Sequence, residues 1–261
     1  SCDFARPPTV SLANLPRSPL HFGKENDATA ILESRLGYRE ALMASRPTLT
    51  YRRPTLGRDY WVQDDVLPNA DEVSHRCYTR ADWELGAPHT DQVWPGRRAP
   101  QALMPDELER VDAWVRKVTN ARRLWVEPPL EGRANYHNYA QLVGLGESGP
   151  RPHTDPRREC RYAAVIYLTP QPDPNAGTSF YRLRTPDGPL GGNVCGPRHA
   201  DLSQALGVTS LPLAAWSEDV RVENRFNRIV LYRGDLVHSA SAYFGVEHAH
   251  KRLTATFFWM A

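Results

Sequence analysis

The pattern of apolar and polar positions changes character near residue 130. Upstream, Leu108, Val111, Trp114, Val115 and Val118 recur at helical spacing. Pro105 suits a first helical turn, and Asp106, Glu107 and Glu109 suit the positive end of the helix dipole, so the spacing predicts a helix over 105–118. Another helix is expected over about Asp27 to Ala44. Proline- and arginine-rich sequence with short strand candidates such as Tyr60-Trp61-Val62 separates the two. Downstream the period shortens to that of strands, over Ala134 to Val143, Tyr162 to Leu168, Thr178 to Leu183, Val220 to Glu223, Arg228 to Tyr232 and Arg252 to Trp259.

Many short strands without alternating helices predict a mainly β sandwich or barrel, with a double-sheet jelly roll the economical arrangement. Residues 1–130 are expected to form a helical and irregular region packed on the core, without being an independent domain. Residues 131–261 form the core, interrupted by a Gly/Pro-rich insertion over 185–218 that could cover a substrate or meet another subunit. In the last strand Arg252, Thr254, Thr256 and Phe258 share one face, and Leu253, Ala255, Phe257 and Trp259 share the other.

Composition removes some classes. Lysine and arginine number 32 against 30 acidic residues in 261, a net charge of +2 that gives no reason to expect nucleic acid or a membrane surface as partner. The four cysteines, Cys2, Cys77, Cys160 and Cys195, are scattered, which suits reduced thiols better than a disulfide framework. No export signal or long apolar run is visible, so a cytoplasmic location is expected.

Candidate chemistry concentrates in His153-Thr154-Asp155, followed by His238 and then by Arg252-Leu253-Thr254. Two imidazoles and a carboxylate can hold one face of an octahedral ferrous ion and leave other positions open. The period-2 spacing of His153 and Asp155 at a strand entrance turns both side chains to one side. His89-Thr90-Asp91 spells the same tripeptide, but its proline-rich surroundings read as a loop. His248-Ala249-His250, in the connection before the final strand, is a rival ligand pair of cupin type. His137 and the arginines around the tripeptide, Arg151, Arg157, Arg158 and Arg161, are candidates for the pocket wall, each with a packed or solvated role as its rival.

His153-Thr154-Asp155, Arg161, Tyr167-Leu168-Thr169, Asn175 to Phe180, Arg233 to His238 and Arg252, in that order, resemble the core of the Fe(II)/2-oxoglutarate-dependent oxygenases, with the prolyl-4-hydroxylase-like group nearest. The resemblance covers roughly the carboxy-terminal half. It implies a double-stranded β-helix, iron ligation by His153, Asp155 and His238, and 2-oxoglutarate held by Arg252 with Tyr167 and Thr254. Fe(II), 2-oxoglutarate and O2 are then the cofactor and co-substrates, and hydroxylation of a small molecule such as an amino acid or biosynthetic intermediate, with succinate and CO2 released, is the implied reaction. Halogenases of this kind replace the carboxylate ligand with a small residue, and Asp155 is present here. A peptide or protein side chain is the alternative substrate, and a non-catalytic jelly-roll binding protein the alternative class. Arg252 follows His238 by 14 positions, a longer interval than is usual in the prolyl-hydroxylase-like group, and Lys251 is its neighbouring competitor.

Overall fold

The computed structural model describes residues 49–89, 94–128, 135–184 and 190–261, all within one compact unit, 39–261. The helix expected over 27–44 lies outside the described residues. In chain order the elements are β1 (Tyr60–Gln63), α1 (Ala70–Thr79), β2 (Glu84–Leu85), β3 (Arg97–Pro100), α2 (Pro105–Thr119), β4 (Tyr139–Val143), β5 (Tyr162–Tyr167), β6 (Thr178–Leu183), α3 (Leu202–Leu206), β7 (Trp216–Val222), β8 (Ile229–Arg233), β9 (His238–Ala240) and β10 (Arg252–Trp259).

The strands form two antiparallel sheets, β1-β8-β5-β10-β4-β3-β2 and β7-β6-β9. A bridge between His153 and His238 adds the segment around His153 to the free edge of the smaller sheet. The chain from β4 onward therefore alternates: large sheet, His153 segment, β5 in the large sheet, β6 and β7 in the small, then β8, β9 and β10 in turn. That winding is a double-stranded β-helix, a form of jelly roll.

The strict alternation along β10 explains why both its faces are buried. Leu253, Ala255, Phe257 and Trp259 pack outward with Leu142, Ile166 and Leu231, beneath Val73 and Cys77 of α1 and Val111 and Val115 of α2. The opposite face of the large sheet meets the small sheet through Ala163, Tyr167, Phe180, Val230, Tyr232 and Leu236. The polar residues Arg252 and Thr254 sit in this second layer, both buried.

Several boundaries differ from expectation. The strand expected from Ala134 starts at Tyr139, because Asn138 takes a left-handed φ of 59° and spends its carboxamide on the main chain of Leu103. The strand expected from Val220 begins at Trp216, inside the end of the insertion. Helix α1 was not expected, since only Val73 and Cys77 give it an apolar stripe; tertiary contacts hold it, including a Ser74 hydroxyl that donates to the Leu168 carbonyl at 2.7 Å. Upstream of residue 130 the chain also does more than cap the core, because β1 and β3-β2 extend the two edges of the large sheet.

Glu107 ties the two long helices together. Its carboxylate accepts from the Met104 N–H at the start of α2, from Arg76 of α1 at 2.5 Å and from the Asn69 amide at 2.7 Å. Burial opposes the charge, but Arg76, the Met104 N–H and Asn69 outweigh it and hold the carboxyl below its usual range. A depressed folded value stabilises the protein above the ordinary carboxylate pKa and ceases to do so as pH falls through the folded value. Urea unfolding near pH 7 should show Glu107→Gln destabilised by about 1–3 kcal/mol, with the gap to wild type closing below about pH 4.

Candidate metal centre

The main chain brings the three candidate ligands together before any ion is considered. The His153 N–H donates to the His238 carbonyl at 3.0 Å, and the His238 N–H returns the bond at 2.9 Å. Two residues on, the Asp155 N–H donates to Gly234 at 2.9 Å. Gly234 permits this approach, because a Cβ there would lie 3.1 Å from the Cys160 carbonyl and 3.3 Å from the Asp155 Cβ. As a result one donor atom from each of His153, Asp155 and His238 falls within 4.8 Å of the others, and this is the one such group among the described residues.

The imidazoles are oriented by backbone. Nδ1 of His153 lies 2.8 Å from the Arg151 carbonyl, and Nδ1 of His238 lies 2.8 Å from the Leu236 carbonyl. A carbonyl only accepts, so each Nδ1 carries the proton and each Nε2 presents its lone pair, the arrangement that metal-binding histidines adopt. Those Nε2 atoms face Asp155, at 4.0 Å from Oδ1 for His153 and 3.7 Å from Oδ2 for His238. Burial lowers both imidazoles, His153 to about 4 with the adjacent His238 contributing and His238 likewise to about 4. Burial also pushes Asp155 up to about 6, with His153 pulling the other way. A buried carboxylate facing two neutral lone pairs has no internal cation to pair with, and a divalent ion fits that donor set.

Arg252 lies on the same inner layer, 3% exposed. Its Nε donates to Ala176 at 2.8 Å and one Nη to Gly177 at 3.2 Å. The guanidinium lies 5.4 Å from the Tyr167 ring and 5.7 Å from Tyr243, and no carboxylate pairs with it among the described residues. Gly177 itself passes close to β7, where a Cβ would fall 1.9 Å from the Val222 carbonyl. Thr254 stands opposite Tyr167 in the β10–β5 register; its hydroxyl is buried without a partner, while the Tyr167 hydroxyl is 2.8 Å from that of Thr178. The orphaned Thr254 hydroxyl and unpaired guanidinium fit an anionic ligand such as the far carboxylate of 2-oxoglutarate.

The competing residues go elsewhere. Lys251 pairs with Glu147. His248 sits 2.9 Å from the Tyr78 carbonyl, and the His250 side chain is exposed beside Glu247. His137 packs on Phe257 and Trp259 in the outer layer, away from the inner face. His89 is exposed, and Asp91 lies outside the described residues. Four neighbours escaped the sequence reading: Tyr232, whose ring is 4.3 Å from that of His238; Cys160, whose Sγ is 3.6 Å from Asp155 Oδ2; Tyr243; and Trp94, 6.0 Å from His153. Period-2 counting from Val230 puts Tyr232 on the inner face, but nothing in the sequence distinguishes it from other core aromatics.

The insertion docks on the tripeptide. The Leu202 N–H donates to the Thr154 hydroxyl at 2.9 Å, and the Arg157 N–H to Ala200 at 2.8 Å. Between His153 and insertion residues such as Leu202, Leu206 and Leu211 is a small cavity of about 80 Å³. A larger one of about 250 Å³ touches Asp155, Cys160 and Asp235.

The model of the family of unknown function DUF6445 matches residues 47–189. The chain belongs to this family. The matched stretch includes His153, Asp155 and Tyr167 and stops short of His238 and Arg252. No curated protein matches the chain. Among solved structures, the non-heme alpha-ketoglutarate-dependent carbocyclase SnoK from nogalamycin biosynthesis is 16% identical, covering 78% of this chain and 80% of its own, with a TM-score of 0.48. HygX from Streptomyces hygroscopicus, with nickel, 2-oxoglutarate and hygromycin B bound, is 19% identical over 78% of this chain and 83% of its own, TM-score 0.43. A Pseudomonas putida prolyl-4-hydroxylase is 15% identical over 77% of this chain and 92% of its own, TM-score 0.42.

Because both Nδ1 atoms face carbonyls and burial disfavours the charged rings, ¹⁵N spectra of metal-free protein near pH 7 should show His153 and His238 as neutral rings protonated at Nδ1. An Nε2-protonated tautomer of either ring would contradict the geometry.

Proposed function

We propose that this protein is an Fe(II)- and 2-oxoglutarate-dependent dioxygenase that hydroxylates an unactivated C–H bond of a small molecule. The observation that carries the reading is the convergence of two neutral Nε2 atoms and one buried carboxylate within 4.8 Å, with an uncompensated buried guanidinium in the same inner layer. His153, Asp155 and His238 hold the iron. When bound, ferrous iron would activate O2, the oxidant, with 2-oxoglutarate giving up two electrons as it is decarboxylated to succinate and CO2, so that one oxygen atom enters succinate and the other the C–H bond.

The chain's own residues do the positioning. Arg252 receives the far carboxylate of 2-oxoglutarate, which removes the cost of leaving either charge buried alone. Thr254 donates its free hydroxyl to the same group, and Tyr167 braces that end through Thr178. Arg151 and Leu236, through their carbonyls, fix the Nδ1–H tautomer of each neutral ring and aim its Nε2 at the ion. Tyr232, Phe180 and Leu236 exclude water from the inner layer. A small molecule suits the way the insertion closes on Thr154, because a polypeptide substrate calls for an open groove.

Anaerobic addition of Fe(II) and 2-oxoglutarate should produce the weak charge-transfer band near ~500 nm of a chelated ferrous keto acid. Asp155→Ala should abolish it. Arg252→Ala should leave Fe(II) binding intact and raise the 2-oxoglutarate concentration needed by at least about tenfold, as expected when a charge-assisted bidentate contact is lost. Well-folded wild-type protein with no band would refute the cofactor assignment.

A further inference from the structure

Arg98 on β3 is a second buried guanidinium that the reading above does not use. It is 4% exposed, and both terminal nitrogens, Nη1 and Nη2, are buried without a hydrogen-bond partner. No ion pair involves it among the described residues; burial works against its charge, while the phenol of Tyr136 first, then Glu84, its register partner on β2, and Tyr139 favour it, none of them in hydrogen-bond geometry with either Nη. Its guanidinium lies 3.9 Å over the Tyr136 ring and 5.2 Å from Trp94. Aromatic faces stabilise a cation but leave its N–H groups unsatisfied.

Its place in the sheet links it to the metal centre. Directly paired residues of antiparallel strands point to the same face, and the register runs Tyr167 to Thr254 to Gln141 to Arg98 across β5, β10, β4 and β3. Arg98 therefore continues the inward row that contains the candidate 2-oxoglutarate residues, two strands or ~10 Å beyond Thr254. Trp94, which forms one wall of its cage, also meets His153 edge-on with ring centroids 6.0 Å apart. Trp94 is 37% exposed and the His153 side chain 39%, so the two rings meet at a solvent-facing edge of the centre.

We propose that Arg98 is a specificity-determining residue that binds a carboxylate of the small-molecule substrate, with Trp94 and Tyr136 flanking the pair. The proposal rests on the reading of the centre given above. Two free Nη groups in one plane match the two oxygens of a carboxylate, and a buried guanidinium left without such a partner is costly. The bound carboxylate fixes the substrate at the Trp94 wall, beside the ring of His153.

The test is calorimetric titration of phenylacetate and of phenylacetamide into protein held anaerobically with Fe(II) and saturating 2-oxoglutarate, so that Arg252 is already occupied. Wild type should bind the acid at least about tenfold more tightly than the amide. Arg98→Met should bind both alike, keep the ~500 nm band and melt no lower than wild type, since it replaces an unpaired buried charge with an apolar chain. Arg98→Lys should retain part of the preference. Equal or undetectable binding of the two probes by wild type overturns the proposal, as does a preference that survives in Arg98→Met. A large fall in melting temperature for Arg98→Met makes the guanidinium a structural brace, and loss of the band makes it a co-substrate residue; both overturn the proposal. Absence of the band from wild type counts against the cofactor reading, whereas the Arg98-dependent acid preference is measured separately in the same protein.

Discussion

Burial of Asp155 against two imidazoles that do not neutralise it is the constraint around which the metal centre is built. A carboxylate 4% exposed requires either a proton or a cation. Burial keeps His153 and His238 from supplying that charge, and the carbonyls at their Nδ1 atoms leave each Nε2 lone pair facing the carboxylate. Much of the surrounding architecture serves to hold this unsatisfied set in place. The reciprocal main-chain bonds between His153 and His238 fix one edge of the small sheet, and Gly234 lets the loop before β9 pass close to Asp155.

A related imbalance recurs across the inner face of the large sheet. Arg252 gives two N–H groups to carbonyls of the turn before β6, and Thr254 gives none. Much of the domain's apolar burial lies on the other side of the sheet, in the outer layer where β10 packs against α1 and α2. The division has a physical logic, since one layer supplies stability and the other can leave polar atoms unpaired for ligands.

Much of this division is legible in the sequence. The alternation in Arg252 to Trp259 separates the two layers residue by residue, and β10 follows it. The period-2 spacing of His153 and Asp155 and the apolar stripe of α2 also translate directly into structure. What escapes is non-local. Helix α1 has too weak a stripe to be read alone and is fixed by contacts such as that between Ser74 and Leu168. The strand Arg97–Pro100 carries two arginines and a proline, so its membership of the sheet depends on β4 rather than on propensity. Trp94 comes beside His153 through its loop path, and Arg98 joins the inner row through its pairing with β4, neither of which a spacing in the chain encodes.

In the proposed enzyme one divalent ion and one 2-oxoglutarate share the inner layer between the His153 segment and β10. A crystal grown anaerobically with Mn(II) and 2-oxoglutarate reveals their positions through the anomalous signal of the metal. A single strong peak is expected, bounded by Nε2 of His153, Nε2 of His238 and the Asp155 carboxylate, with the keto acid running from the ion to Arg252. A peak at His248 and His250, or a keto acid bound away from Arg252, would rule this arrangement out.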